Sequence, residues 1–190
     1  MRHLLPTRDK HCNREQKVNG CLRCGRCCTR FGVCVTPFDI LRISRKTGLP
    51  PEEFVFALPE PRKHKRKEAV VLIDGKRCLI ILKWKNPVFW VFKGRICFFY
   101  SGNGCSIYEE RPMLCRTYPF IHTGKTLSDL KSRPCPQLWM PDSKGREQYA
   151  AALEQYEKEI IEYNKIAEEW NRGPGGDLKA FLKFVLERVR

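Results

Sequence analysis

Four cysteines fall within eight residues, Cys21-Leu22-Arg23-Cys24-Gly25-Arg26-Cys27-Cys28. A stretch this dense in thiols cannot be an ordinary apolar core segment, and its spacing is that of a metal clip. A Cys-x-x-Cys loop turns both sulfurs toward one ion, and a third cysteine at the same interval brings another thiolate to the same small volume. Gly20 and Gly25 supply the backbone freedom that the wrap needs. Four more cysteines follow at wider intervals, Cys97, Cys105, Cys115 and Cys135, so eight of the eleven form two clusters. These eight are the expected metal ligands.

Eleven is an odd number, and a pure disulfide framework would leave a thiol over. At 190 residues the chain is also longer than most secreted disulfide scaffolds, and nothing in it directs export. The N-terminus has basic residues but no apolar h-region. The longest apolar stretch, Leu79 to Phe92, is interrupted by Lys83, Lys85, Asn86 and Pro87, which rules out a membrane-spanning helix there. The expectation is a cytoplasmic protein, and in a reducing compartment clustered cysteine means metal. Dinucleotide, P-loop, zinc-protease and serine-hydrolase signatures are absent, so whether the chain is an enzyme stays open. His3, His11, His64 and His122 are scattered; only His122 lies near the thiols, as an alternative ligand or proton carrier.

The formal charge of +15 counts every thiol as neutral. Four thiolates around a cluster core of about +2 would contribute about −2, and Arg23, Arg26 and Arg30 stand where that charge needs compensation. The remaining basic excess fits an unidentified nucleic-acid or protein partner, or an anionic surface, without choosing among them.

Composition divides the chain into a flexible arm over 1–19, a cysteine-cluster domain over 20–140 and a C-terminal helical hairpin over 141–190. Cys12, in the arm, reads as an exposed thiol rather than a ligand. Val33-Cys34-Val35 reads as a short strand, with Cys34 buried. Thr36 caps a helix over 37–47 with Pro37 at its first position and Gly48 at its end, and Pro50-Pro51 opens a second helical turn. Residues 59–68 form a basic loop. Ala69–Ile73, Asp74-Gly75 and Arg77–Leu82 make a hairpin with a type I′ turn signal, leading to a third run at Val88–Phe92. Cys78 belongs to the core. Cys97 to Phe120 is expected to be mostly turn and irregular structure. From about residue 144, Tyr149, Leu153, Tyr156, Ile160, Tyr163, Ala167 and Trp170 form one stripe of a long helix, ended at Gly173. Asp177 caps a last helix with Leu178, Phe181, Leu182, Val185 and Val189 on its face. The fold class is α+β: a small cysteine-rich metal-binding domain with a short β-hairpin or meander and a C-terminal helical hairpin. A dimerising coiled coil is the alternative use of the long helix.

The Cys-x-x-Cys-x-x-Cys-Cys block is followed by Cys105-Ser-Ile107-Tyr108-Glu-Glu-Arg111-Pro112-Met-Leu-Cys115-Arg116-Thr-Tyr-Pro119-Phe120. The two blocks together closely resemble the YkgJ-like cysteine-cluster family, whose domain is described as a zinc- or iron-chelating module. The resemblance extends over about residues 20 to 136, with Cys97 and the trailing Cys135 included, and implies a site more firmly than a task. Flagellin lysine N-methylases share the cysteine block and are associated with an iron–sulfur centre, so the resemblance also admits a redox or methyl-transfer enzyme.

Structural zinc usually takes two Cys-x₂₋₄-Cys knuckles. Here the downstream cysteines are separated by 7, 9 and 19 residues, so only the first block looks like a knuckle. Three local thiols with a remote fourth are the ferredoxin habit, which favours a [4Fe-4S] cluster over zinc. Two zinc ions, or a cluster with one zinc, remain open, as does a zinc-stapled RNA-associated module. Arg111 and Arg116 are expected to hydrogen-bond around the centre and offset thiolate charge; the alternative for Arg111 is a surface ion pair with Glu109 or Glu110. Pro112 is expected to fix the turn that returns Cys115 toward Cys105.

Overall fold

The computed structural model describes residues 23, 25–60, 67–85, 96–102, 104–123, 126–129, 141–173 and 175–189. The arm over 1–19, Cys12, Cys21, Cys24, Cys135, most of the basic loop and the Val88–Phe92 run lie outside the described residues.

Helix α1, Pro37–Thr47, begins at Thr36, whose hydroxyl accepts from the Asp39 N–H while the Asp39 carboxylate accepts from the Thr36 N–H. This reciprocal capping box satisfies two otherwise orphaned donors. Gly48, left-handed at φ 71°, closes the helix. Helix α2, Pro51–Phe54, runs straight into strand β1, Val55–Pro59. Strands β2, Val71–Ile73, and β3, Lys76–Leu82, pair through Asp74 and Gly75, both at positive φ, as the type I′ signal requires.

The sheet order is β1-β3-β2, all antiparallel, with Val55 opposite Leu82 and Val71 opposite Cys78. β1, the third strand of this sheet, was not expected from the sequence: the Pro-rich ends of 50–62 hid a strand that lies on an edge, where proline is tolerated. Central β3 is buried on both faces. Cys78, Ile80 and Leu82 join Ile40, Ile43, Phe54, Val55 and Val71 in the main core, whereas Leu79 and Ile81 meet Cys34, Phe56, Leu58 and Trp84 on the other side. Burial on both faces accounts for a continuous apolar run instead of an alternating one. Val33 and Val35 extend the sheet: Val35 N–H donates to Ile80 and Leu82 N–H to Val33.

Strands β4, Trp84–Lys85, and β5, Ile96–Cys97, form a small ladder, and α3, Met113–Thr117, is a single short helix within the otherwise irregular second cysteine block. The Tyr118–Pro119 peptide beyond it is cis. Strands β6, Phe120–Thr123, and β7, Thr126–Asp129, make a further hairpin.

Helix α4, Ser143–Arg172, buries Leu153, Ile160, Tyr163, Ala167 and Trp170 of the expected stripe, and Ile166 besides. Its end closes the free edge of the sheet. Trp170 Nε1 donates to the Leu72 carbonyl at 2.7 Å, and the Asn171 amide accepts from Leu72 N–H and donates to the Val70 carbonyl. A side chain thus takes the place of a neighbouring strand, leaving β2 with no sticky edge. Asp177 caps α5, Leu178–Arg188, whose Phe181, Leu182 and Val185 are buried. Phe181 lies edge-on to Trp170 at 5.4 Å, and α5 also packs on α1 and α2. The protein is α+β, with small antiparallel sheets and a C-terminal helical pair. No helix among the described residues is long and apolar enough to cross a membrane.

Candidate metal centre

Five of the eight expected ligands are described, and they come from four separate pieces of chain: Cys27 and Cys28 from the turns after Gly25, Cys97 from β5, Cys105 from the following loop, and Cys115 from α3. Backbone contacts bring the pieces together. The Cys97 N–H donates to the Cys28 carbonyl at 2.7 Å, the first cluster's link to the second. Cys105 bridges back to Tyr100, and Ser106 N–H donates to the Phe99 carbonyl. Cys115 N–H and Arg116 N–H both donate to the Pro112 carbonyl, so Pro112 opens the turn that carries Cys115. Gly25 completes the junction: at φ 74° it lies against the Tyr100 ring so closely that a Cβ would overlap the ring's outer atoms.

The Cys27 and Cys28 sulfurs are 3.9 Å apart. The hydrogen bond from Cys28 pulls the Cys27 thiol down to about 7 against the opposing effect of burial. Cys28 is pushed the other way, first by its hydrogen bond to Cys27, then by burial and the charges of Cys27, Cys97 and Cys115. Burial raises the Cys97 thiol to about 11, with Cys105 and Cys27 adding repulsion. Burial likewise raises Cys105 and, well above its ordinary value, Cys115, which also feels Cys97, Cys27 and Cys105. The five thiols therefore occupy one electrostatic neighbourhood. Among the described residues, however, no three His, Cys, Asp or Glu side chains form a ready-made ligand set.

Other groups around the sulfurs favour thiolates. The backbone N–H of Phe99 faces the Cys97 sulfur and that of Ile107 the Cys105 sulfur, in each case two residues along the chain. Hydrogen bonds to the charged form lower a pKa. Arg111 acts on Cys27 and Cys105, Arg23 on Cys105, and Lys85 on Cys97. The Arg23 and Arg111 guanidiniums lie over the Tyr108 ring at 3.6 and 3.8 Å from its centre. Arg111 also donates to the Tyr108 carbonyl, while Glu110 pairs with Lys46 at 3.6 Å. Arg116 is turned to the chain itself, donating to the Arg111 carbonyl at 3.0 Å and to that of Glu109.

A family described as "putative zinc- or iron-chelating domain", CxxCxxCC, matches residues 20–136. The chain belongs to the CxxCxxCC family. Comparison with curated proteins and with solved structures finds no match. This CxxCxxCC chain is accordingly a metal-chelating cysteine-cluster protein in class. The match ends before α4 and α5, yet α3 packs directly on α4.

Behind the cysteines lies a buried charged group that the sequence reading did not single out. Asp39, fully buried, accepts from Arg42 Nη2 at 2.5 Å, from Thr36 N–H at 3.0 Å and from Met113 N–H at 2.9 Å. Arg42 reaches on to Glu159 of α4, with Nη1 at 2.6 Å from Oε1 and Nη2 at 3.1 Å from Oε2. Burial raises the Asp39 carboxyl, and Arg42 with the two N–H donors opposes that shift. A signal for Asp39 was available: Thr36-x-x-Asp39 is the capping-box pattern. Nothing in the sequence marks Glu159, 117 residues from Arg42, except that it precedes the stripe residue Ile160.

Proposed function

We propose that the centre is polynuclear, an iron–sulfur cluster held by thiolates drawn from Cys21, Cys24, Cys27, Cys28, Cys97, Cys105, Cys115 and Cys135. The observation that carries this reading is that the five described thiols come from four pieces of chain, with only Cys27 and Cys28 adjacent. A zinc ion and a [4Fe-4S] cluster each take four thiolates, so the way the thiols arrive, and not their number, separates the two. The downstream thiols arrive singly, from β5, a loop and α3, and not as a second knuckle. The donor set fits a cluster in kind: every candidate is a thiol, backbone N–H groups face two of the sulfurs, and Arg23, Arg111 and Lys85 offset thiolate charge. N–H donors of this sort and the degree of solvent exposure set a cluster's potential. When bound, the cluster would supply an electron-accepting centre and a covalent staple for a stretch with little regular structure. Arg111 holds the Tyr108 loop beside the sulfurs, and Arg116 braces the turn into α3.

A zinc reading has one observation of its own. The 3.9 Å between Cys27 and Cys28 is close to the edge of a ZnS₄ tetrahedron, about 3.8 Å for Zn–S bonds of about 2.3 Å. Anaerobic purification with iron, acid-labile sulfide and zinc analysis separates the two. Iron and sulfide in equal amounts with a brown chromophore support the cluster; colourless protein loaded with zinc and free of sulfide sinks it.

A further inference from the structure

The C-terminal helix α4 lies outside the family match, but it touches the cysteine block through a fixed chain of atoms. Glu159 binds Arg42 with both carboxylate oxygens, Arg42 binds Asp39, and Asp39 Oδ1 holds the N–H of Met113, the first residue of α3. Cys115 is two residues further on. A five-residue helix cannot hold itself in place, so what fixes its first N–H fixes the approach of the Cys115 sulfur.

The arrangement is costly for a purely stabilising device. Asp39 is 0% and Glu159 2% exposed, and two carboxylates face one guanidinium. Replacing such buried ionic groups by apolar ones of similar volume is often neutral or stabilising, whereas a bidentate fork imposes direction. The remaining lone pairs are used: the Thr36 hydroxyl and the Gln155 amide donate to Glu159 at 3.2 Å each. Both carboxylates and the two Nη groups of Arg42 are thereby held in one geometry, across α1, α3 and α4.

We infer that Glu159, acting through Arg42 and Asp39, is a positioning residue for Cys115, so that the C-terminal helix is a working part of the metal centre. This rests on the reading that Cys115 is a ligand. Partners just outside a metal's ligands typically govern affinity by about 10–100-fold, and an effect of that size is expected here.

The test uses the full chain with zinc and cobalt(II) as probes, comparing wild type, Glu159→Gln, Arg42→Lys and, as a control, Glu162→Gln from the exposed face of α4, which pairs only with Lys165 among the ion pairs described. Zinc transfer to a chromophoric chelator should show Glu159→Gln and Arg42→Lys weakened by about tenfold or more, and the control within about twofold. The cobalt form of Glu159→Gln should lose intensity in its sulfur-to-cobalt charge-transfer band, which a general loss of stability would not alter in the folded fraction. The Glu159→Gln, Arg42→Lys double variant should be no weaker than the worse single variant, because one chain of contacts is broken in both. If wild type binds and both brace variants match it, or the control falls as far as they do, the inference is overturned while the metal reading stands. If wild type takes up neither probe metal, the same variants are compared by loss of iron and sulfide to a chelator from the anaerobically purified protein, under the same criteria. Should Glu159→Gln fail to fold by circular dichroism, Arg42→Lys, which keeps the charge and loses the fork, decides the matter by the same criteria.

Discussion

The sheet β1–β3 with α1, α4 and α5 and the block of chain that carries the cysteines are organised on different principles. The first buries Ile43, Phe54, Val55, Tyr163, Phe181 and Val185 almost completely, with helices capped at Thr36, Asp142 and Asp177. The second has a two-residue ladder, a five-residue helix and a series of turns, and it carries sulfurs, Cys97 and Cys115 among them, that burial pushes toward protonation. Apolar burial at about 25 cal/mol per Å² can hold the first part. In the second part, thiols that repel one another once ionised offer no such gain until a metal draws them together. One chain is thus stable in one half and conditional in the other, with Phe99 against Phe54 at 5.6 Å as a point of contact between them.

Metal removal is the strongest way to break this contrast. Stripping the centre with a chelator under reducing conditions is expected to cost the cysteine half about 10 kcal/mol, the scale of structural metal sites. In hydrogen exchange, the amides of Cys97, Tyr100, Ser106 and Cys115 should lose protection while those of α4 and α5 keep theirs. Simultaneous loss in both would show a single cooperative unit and end the distinction.

The converse experiment acts on the apolar half. Phe181 is 1% exposed and lies against Trp170; Phe181→Ala should lower the denaturant-measured stability by about 3–5 kcal/mol. Metal bound per folded molecule should not change, and a parallel loss of metal would tie the two halves more closely than the packing implies.

What was readable beforehand follows the same division. Thr36-Pro37, Asp74-Gly75, Gly173 and Asp177 announce their elements because each acts on its own neighbours through a cap or a turn, and the α4 stripe is a local period. The two cysteine blocks were legible as a pair because thiols at these spacings have few other uses. Strand β1 was not, since its pairing with β3 is non-local and its Pro59 reads as a loop. Nor was the Asp39–Arg42–Glu159 brace, because partners 117 residues apart leave no mark on local pattern. Glu159 sits in a helix rich in exposed glutamates, and only burial distinguishes it.

Proton competition sharpens the contrast within the cysteine half. Cys97 sits at about 11, and Cys28 and Cys115 are also raised, so all three stay protonated in the metal-free protein at pH 7 to 8. Each one that ligates must release a proton, so metal affinity should rise about tenfold per pH unit for each such thiol and fall correspondingly as pH drops. Cys27, pulled down to about 7, adds its full share only below that pH. Zinc competition titrations from pH 6 to 8 read the slope directly; a flat profile would mean that the raised thiols are not the ones that bind.

Gly25→Ala gives the smallest effect and the most local one. Gly25 holds φ at 74°, where an alanine costs about 1–2 kcal/mol, and its missing side chain is what lets the first cysteine block close on Tyr100. The overlap falls on the far end of the Tyr100 ring, which can swing aside, so the steric part should be relieved and the backbone part should remain. Tyr100 stands between Cys97 and Cys105, and its carbonyl accepts from Lys85 at 2.8 Å. Displacing the ring should therefore speed metal release to a chelator while leaving exchange protection in α4 and α5 unchanged. If Gly25→Ala instead retains metal as wild type does, the Tyr100 contact is incidental to the centre.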